Sequence, residues 1–186
     1  MKAGKSWTRA ILTTLTAVVI VALPAAAAAS TTVERPAARA AVATTNLYRL
    51  YSGSAGDHFY TTSWNETQNA FNNLGYTYEG VAARVWTGGG QGRVPLHRLY
   101  HPGTGDHFYT TSWNEAQNAF NNLGYTYEGV TAHVRATKGG GLVALHRLYH
   151  PGPSDHFYTT DWNEAQNAFN NLGYRYEGVA AYVLPA

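Results

Sequence analysis

One segment of this chain occurs three times at a fixed spacing, and that repetition limits the fold more than any other feature. Each copy opens with Asp-His-Phe-Tyr-Thr-Thr and closes with Tyr-Glu-Gly-Val, and the copies begin at Asp57, Asp106 and Asp155, 49 residues apart. A unit of this size cannot bury its own apolar face, so neighbouring units must share a core. The sequence therefore predicts a repeat architecture.

Each copy has the pattern of two strands, a helix and a third strand. In the first copy, residues 47–51 form a short strand, a Gly-containing turn follows, and residues 57–62 are rich in aromatic and β-branched residues. We predict that these two strands form a hairpin around a five-residue loop. Residues 78–85 supply the third strand. Neither face of the second strand is wholly apolar, so its alternation does not show which face is the core.

The helix between the second and third strands carries the clearest local signals. Ser63 and Glu66 match a capping box, in which each side chain accepts a hydrogen bond from the other residue's backbone N–H. Gly75 is the left-handed residue that ends the helix. These signals recur in the other copies, with Asp161 as the cap of the third helix. Trp64 falls on the apolar stripe, which favours packing in the core or in a hydrophobic staple over the alternative of stacking on a sugar.

Three such units predict an α+β fold of three tandem ββαβ repeats of about 49 residues, with short antiparallel strands and one helix per repeat. The terminal copies are nearly identical to the middle one, whereas an open stack needs atypical capping repeats. We therefore expect the first and last copies to lie side by side and to close the repeats into one pseudo-threefold domain over residues 46–186. The predicted repeat boundaries are about 46–92, 93–141 and 142–186.

The first residues predict export. Lys2, Lys5 and Arg9 precede an apolar run and a tract of small residues, so residues 1–29 have the features of a secretory signal peptide. The run is shorter than the roughly 20 apolar residues that a membrane anchor needs. Residues 30–45 contain Ala, Pro and Thr without apolar periodicity, and we predict a disordered leader. The mature protein is then expected outside the cell, free of the membrane.

Composition limits the classes of partner. The chain has 13 basic and 11 acidic residues, but three of the basic residues lie in the signal segment. No basic patch remains, which argues against a nucleic acid partner. The chain has 14 Tyr, 6 Phe and 5 Trp, and this balance suits an aromatic-lined recognition surface better than an electrostatic one. It has no Cys, so packing alone must hold the secreted domain together.

The Leu-Tyr-Arg-Leu-Tyr, Asp-His-Phe-Tyr-Thr-Thr and Gly-Tyr-x-Tyr-Glu-Gly-Val-Ala elements resemble a repeat family of secreted bacterial and fungal proteins that is catalogued as a domain of unknown function. The resemblance extends over all three copies, from Leu47 to Val183. Repeats of that family often accompany cell-wall hydrolases and other secreted enzymes, which implies an accessory binding role and carries over no catalytic residue. Because this sequence shows no second domain, we expect any activity to reside in the repeats.

The Asp-His pairs that open the second strands are the candidate ligand-binding residues. A carboxylate beside an aromatic strand can accept paired hydrogen bonds from sugar hydroxyls while a Tyr covers the apolar face of the sugar. The alternative is structural, because Asp beside a Gly- or Pro-containing loop often caps the turn, and its neighbouring His is then half-buried. The candidate set adds the Tyr that ends each first strand and the His of two turns: Asp57, His58, Tyr51, Asp106, His107, Tyr100, His101, Asp155, His156, Tyr149 and His150.

The other charged residues common to every copy predict a structural role. Arg49 and Glu79, with their counterparts, are expected to form an Arg–carboxylate clamp between strands. His97 and His101 are four residues apart but lie on a strand and a turn, so no metal site is predicted. There is no G-x-S-x-G motif, and a carboxylate pair for glycoside cleavage would have to be assembled across copies. We therefore predict neither catalysis nor a cofactor.

These features favour a secreted, monomeric, non-catalytic module that binds a cell-wall or environmental glycan through up to three equivalent weak sites, whose tethering raises avidity. A protein-binding scaffold for an exported partner is the alternative, and a secreted hydrolase is a third hypothesis. A flat aromatic patch would favour protein binding. Three concave pockets would favour glycan binding, and one cleft with paired carboxylates would favour the enzyme.

Overall fold

The structure is a computed structural model, and it describes residues 43–186. The predicted signal peptide and almost all of the predicted leader lie outside these residues. The first strand begins at Thr44, so the last two residues of the predicted leader, 30–45, belong to a strand. Within the described range, no helix has the length and apolar character needed to cross a membrane.

The described chain contains nine strands and three helices, arranged as three units of two strands, a helix and a strand. The α+β class and the order of elements in each repeat are as predicted. Repeat 1 contains β1 (Thr44–Ser52), β2 (Asp57–Thr61), α1 (Trp64–Asn73) and β3 (Thr77–Trp86). Repeat 2 contains β4 (Arg93–Tyr100), β5 (His107–Thr110), α2 (Trp113–Asn122) and β6 (Thr126–Arg135). Repeat 3 contains β7 (Val143–His150), β8 (Asp155–Thr159), α3 (Trp162–Asn171) and β9 (Arg175–Val183).

Within each repeat, the first strand lies between the other two and pairs antiparallel with both. The predicted hairpin is present, with Leu50 opposite Phe59. The third strands of the repeats meet one another only at short bridges, such as Trp86 with His133. The nine strands therefore form one mostly antiparallel sheet, in which short bridges between the third strands join the three repeats.

Side chains from all three repeats meet in a shared core. Three smaller clusters lie beneath the helices, and Leu50, Phe59 and Ala70 form the one in repeat 1. Strand β2 serves both kinds of core, because Phe59 faces the helix and Tyr60 faces the shared core. Its two faces are both buried, which explains why the alternation of this strand shows no solvent side. The shared core consists of Leu47, Tyr60, Ala83, Val85, Leu96, Tyr109, Ala132, Val134, Leu145, Tyr158, Ala181 and Val183.

Three buried tyrosines connect the repeats within the shared core. The hydroxyl of Tyr60 donates to the carbonyl of Tyr158, that of Tyr109 to Tyr60, and that of Tyr158 to Tyr109, at 2.6–2.7 Å. Each hydroxyl also accepts a backbone N–H from another of these tyrosines, at 2.8–2.9 Å. Burial raises the pKa of all three hydroxyls, so they remain protonated donors. Each repeat therefore contacts both of the others.

The prediction that Trp64 packs in the core is wrong. The buried positions of α1 are the small residues Thr67 and Ala70, which let the helix approach the sheet closely, and Trp64 stays 45% exposed. Its ring lies 5.2 Å from Tyr48 and 5.8 Å from Tyr78, measured between centroids. Each repeat thus carries an exposed aromatic cluster beside its helix. The equivalent side chains are exposed to the same degree: Trp113 and Trp162.

The predicted capping box is only half formed. Ser63 Oγ accepts from the N–H of Glu66 at 3.2 Å, and Gly75 follows the helix with a φ of 77°, as predicted. The Glu66 carboxylate does not return to the N–H of Ser63, which donates to Thr61 Oγ1 at 3.0 Å. Glu66 instead accepts from Arg98 of the next repeat. The Glu66 carboxylate therefore contacts the next repeat and does not cap its own helix.

Candidate functional site

A guanidinium group links each repeat to the preceding one. Arg98 donates from Nη1 and Nη2 to Glu66 of repeat 1, both at 3.0 Å, and its Nε lies 2.8 Å from Glu128 in its own repeat. The predicted clamp with Glu128 is confirmed, and the contact with Glu66 was not predicted. Burial alone would raise the pKa of Glu66, but hydrogen bonds from Arg98 and Thr61 outweigh it, and the pKa lies below its usual value.

The other two junctions contain the same clamp. Each Arg also lies over a Phe ring of the neighbouring repeat, as Arg98 does over Phe59 at 5.4 Å from the ring centroid. One of the clamps joins repeat 3 to repeat 1, the most distant pair in the sequence. The two sets are Arg147 with Glu115 and Glu177, and Arg49 with Glu164 and Glu79.

A glycine in each third strand positions one of these carboxylates. Gly80 lies opposite Arg49 at a shift in the register of β1 and β3, and its φ of 113° is one that L side chains rarely adopt. Glu79 precedes this glycine, and its carboxylate lies 2.8 Å from Arg49 Nε. The bulge thus aims Glu79 at the first strand. The equivalent glycines, with φ of 113° and 112°, are Gly129 and Gly178.

The predicted Asp-His residues are brought together, but across repeats. Asp57 accepts from the backbone N–H of His107 at 2.8 Å, meets its ring Nδ1 at 2.7 Å, and accepts from the Tyr76 hydroxyl at 2.7 Å. Asp57 is only 1% exposed. Both carboxylate oxygens are therefore engaged inside the protein, and these contacts support a positioning role for the Asp more than direct contact with a ligand.

The other two aspartates make the same contacts: Asp106 with His156 and Tyr125, and Asp155 with His58 and Tyr174. Oxygens of the three aspartates lie within 4.8 Å of one another, close enough for a cation to be shared. All of these carboxylates are buried, and each is already occupied by a His and a Tyr of the chain. The triad is thus internally satisfied.

The His of each pair is held rigidly and reaches the surface. The ring of His107 lies between those of Tyr100 and Phe59, with centroids 4.8 and 4.6 Å away. Its Nδ1 faces the buried Asp57, which leaves Nε2 for the outer side. The predicted aromatic wall, Tyr100 and its counterparts Tyr51 and Tyr149, therefore supports the His rings.

The two predicted turn histidines lie apart from these pairs. His101 Nδ1 accepts from the N–H groups of Gly103 and Thr104 at 3.2 and 3.1 Å, and His150 Nδ1 accepts from Gly152 at 3.0 Å. These contacts stabilise the hairpin turns. The structure thus brings the Asp, His and Tyr predictions together at the junctions. The turn histidines pack edge-on against Tyr125 and Tyr174, which donate to the buried aspartates.

A cleft of about 170–180 Å³ opens at each junction between repeats. The predicted His lines it, together with the clamp and two side chains of the helix that were not predicted. Asn and Leu recur at these positions in every copy, and this recurrence is the sequence signal that could have identified them. The cleft between repeats 1 and 2 is lined by Glu66, Asn69, Leu74, Arg98, His107 and Glu128. Equivalent residues line the cleft between repeats 2 and 3 and the cleft between repeats 3 and 1.

Comparison with known proteins supplies a family but no function. No curated protein and no solved structure matches the chain. The profile of a domain of unknown function, DUF5648, matches residues 44–184, which contain all three repeats and all three clefts. The match covers well over half of the chain, and the chain therefore belongs to the DUF5648 family.

Proposed function

We propose that this protein is a secreted, non-catalytic carbohydrate-binding module whose sites are the three clefts between repeats. The observation that carries the proposal is the convergence of one set of polar groups in three concave clefts. In the cleft between repeats 1 and 2 these groups are Glu128, His107 Nε2 and Asn69, beside the apolar side chain of Leu74. Few fixed polar groups against apolar walls are typical of small-ligand sites, and carboxylates make strong hydrogen bonds with hydroxyl groups.

The proposal includes closure of the repeats about a pseudo-threefold axis. Three kinds of contact run from repeat 1 to 2, from 2 to 3, and from 3 back to 1: the Arg–Glu clamps, the Asp–His pairs and the core tyrosines. An open row of three repeats would have two junctions, whereas closure gives three complete clefts. Three tethered sites on one glycan would raise avidity without any new contact.

Protein binding is the second candidate, and one observation favours it. Trp64 and Tyr78 are 45% and 39% exposed on the cluster beside α1, and aromatic side chains of this kind are enriched in protein interfaces. A glycan remains the first choice because the clefts are concave and occur three times. A flat surface would serve a protein partner better.

The hydrolase hypothesis is the weakest of the three. Glu66 and Glu128 share Arg98, and the hydrogen bonds from Arg98 favour the ionised form of Glu66. Glycoside cleavage needs one carboxyl group with a raised pKa to protonate the leaving oxygen. The lowered pKa of Glu66 is the opposite of this requirement.

Binding of the chain from residue 30 onward to a glycan array and to insoluble peptidoglycan, cellulose and chitin tests the proposal. The test variant replaces one exposed cleft residue in every repeat: Asn69→Ala, Asn118→Ala and Asn167→Ala. Ala favours helix more than Asn does, so the melting temperature should hold. We expect saturable glycan binding that weakens at least tenfold in this variant.

The matched control removes the same residue type from the same helices outside the clefts: Asn72→Ala, Asn121→Ala and Asn170→Ala. It should bind like the wild type. Failure of every glycan to bind would reject carbohydrate recognition. If both variants lost glycan binding equally, or if neither variant lost it, the binding site would lie outside the clefts.

A further inference from the structure

Acidic residues of the described chain are concentrated at the three clefts. Residues 43–186 contain ten Asp and Glu, and the tenth, Asp161, caps α3 and lines a separate pocket that Arg49 also borders. Each cleft sets one Arg against two lining carboxylates, with the buried Asp behind its His. The clefts are therefore negatively charged while His is neutral. The nine cleft carboxylates are Asp57, Glu66, Glu79, Asp106, Glu115, Glu128, Asp155, Glu164 and Glu177.

Two side chains of a cleft present hydrogen-bond acceptors to a ligand. In the cleft between repeats 3 and 1, Arg49 directs Nη1 and Nη2 to Glu164 and Nε to Glu79. His58 meets Asp155 through Nδ1 at 2.6 Å, and in the tautomer that donates Nδ1–H to this carboxylate, Nε2 is an acceptor. Glu79 Oε2 lies 2.8 Å from Arg49 Nε, and a carboxylate oxygen has a second lone pair that can accept another hydrogen bond. His58 Nε2 and Glu79 Oε2 are thus two neighbouring acceptors on the side that a ligand meets.

Two of these acceptors are spaced for one shared donor. His58 Nε2 lies 4.0 Å from Glu79 Oε2, and His156 Nε2 lies 3.9 Å from Glu177 Oε2, which is too far for a direct hydrogen bond. An ammonium nitrogen makes charge-assisted hydrogen bonds of about 2.7–2.9 Å and has three donors, so it can bridge two acceptors at this separation. A hydroxyl group, with its single proton, can donate to only one of them.

From the charge and the spacing of the acceptors, we infer that the clefts select amino sugars with a free ammonium group over neutral or N-acetylated sugars. This inference rests on the proposed glycan-binding function and narrows its ligand class. The ammonium group lies between the His Nε2 and the strand Glu, and the sugar ring lies towards the Asn and Leu of the helix. Acetylation removes both the positive charge and two of the three donors, so it weakens binding.

The test compares glucosamine, N-acetylglucosamine and glucose oligomers of one length by isothermal titration calorimetry with the chain from residue 30 onward, at a pH that keeps the amine protonated. We expect the glucosamine oligomer to bind at least tenfold more tightly than the other two. The triple variant Glu79→Gln, Glu128→Gln and Glu177→Gln keeps an acceptor for each Arg but removes the charge. It should reduce the preference to less than threefold.

A single variant, Glu79→Gln, keeps the test valid if the triple variant does not fold, because it alters one cleft of three and should lower the preference by a smaller factor. Asp161→Asn is the matched control, since it removes the one acidic residue of the described chain that lies outside the clefts, and it should keep the full preference. Equal binding of the amine and acetylated oligomers would overturn the inference and leave glycan binding intact. Binding of no oligomer would overturn the proposed function as well. If a trilysine peptide bound as tightly as the glucosamine trimer, the clefts would recognise the charge without the sugar. This result would also overturn the inference.

Discussion

The shared core and the three clefts are built from the same repeats, yet they leave their polar groups in different states. In the core, each Tyr hydroxyl both donates and accepts, so no hydrogen-bonding capacity is left. In the clefts, Arg98 Nε is buried without a hydrogen-bond partner among the described residues, and His58 Nε2 and Glu79 Oε2 lie 4.0 Å apart without a bond between them. Complete pairing marks the part that holds the repeats together. Incomplete pairing at a concave surface marks the part that can bind a ligand.

The His residues join these two regions. His107 contacts Asp57 on its buried side and lines the cleft on its outer side. Each cleft therefore depends on a carboxylate from the neighbouring repeat, and a single repeat could not form a site. This explains why Asp57 can matter for a ligand that it does not touch.

The largest expected effect comes from the core. Tyr109→Phe removes the hydroxyl that accepts from the N–H of Tyr60 and donates to its carbonyl. Two buried backbone groups would lose their partner, at about 3 kcal/mol of unfolding free energy. Urea denaturation of the variant measures this loss. Tyr78→Phe, at a 39% exposed position, is the control and should change stability by less than about 0.5 kcal/mol. A similar small loss for Tyr109→Phe would contradict the role of the core tyrosines.

The clamp should matter less. Arg98→Met breaks the contacts with Glu66 and Glu128 at one junction, but these carboxylates are 37% and 30% exposed and can be hydrated. We expect a loss of about 1–2 kcal/mol, between the values for surface and buried ion pairs. Denaturation at several pH values checks the cause.

The pKa of Glu66 is lowered in the folded protein, so its contribution is present above the unfolded pKa and is lost as pH falls through the folded pKa. The difference between wild type and Arg98→Met should therefore shrink in acid. A difference that stays constant down to low pH would show that lost packing of the long side chain, and not charge, explains the effect.

Much of the architecture could be predicted from sequence because it depends on local signals. The 49-residue spacing indicates the repeats, and Ser63 and Gly75 mark the ends of the first helix. The clamp between Arg49 and Glu79 could also be predicted, since it lies on paired strands within one repeat.

Contacts between repeats could not be predicted in the same way. The copies are nearly identical, so the sequence does not distinguish an Asp that meets its own neighbour from one that meets the next copy. The alternation of β2 does indicate a contact between repeats, because Asp57 and His58 point to opposite faces of this strand. The His partner of Asp57 must therefore belong to another copy. Glu66 was misassigned because the capping box competes with Arg98 for one carboxylate.

The smallest expected effect comes from the aromatic clusters, which lie outside both the core and the clefts. Measuring this effect distinguishes the pH response of the aromatic clusters from that of the clefts. Burial lowers the pKa of His97 and of His146, while repeat 1 has Tyr48 at the same position. The unfolded chain then binds protons more readily at these residues, so their protonation destabilises the fold as pH falls below the usual His pKa of about 6.5. His97→Tyr with His146→Tyr removes this contribution. The stability of the double variant relative to wild type should rise by a small amount from pH 7 to pH 5, as measured by urea denaturation. If the two profiles stay parallel, the acid sensitivity of the protein belongs to the clefts and not to the aromatic clusters.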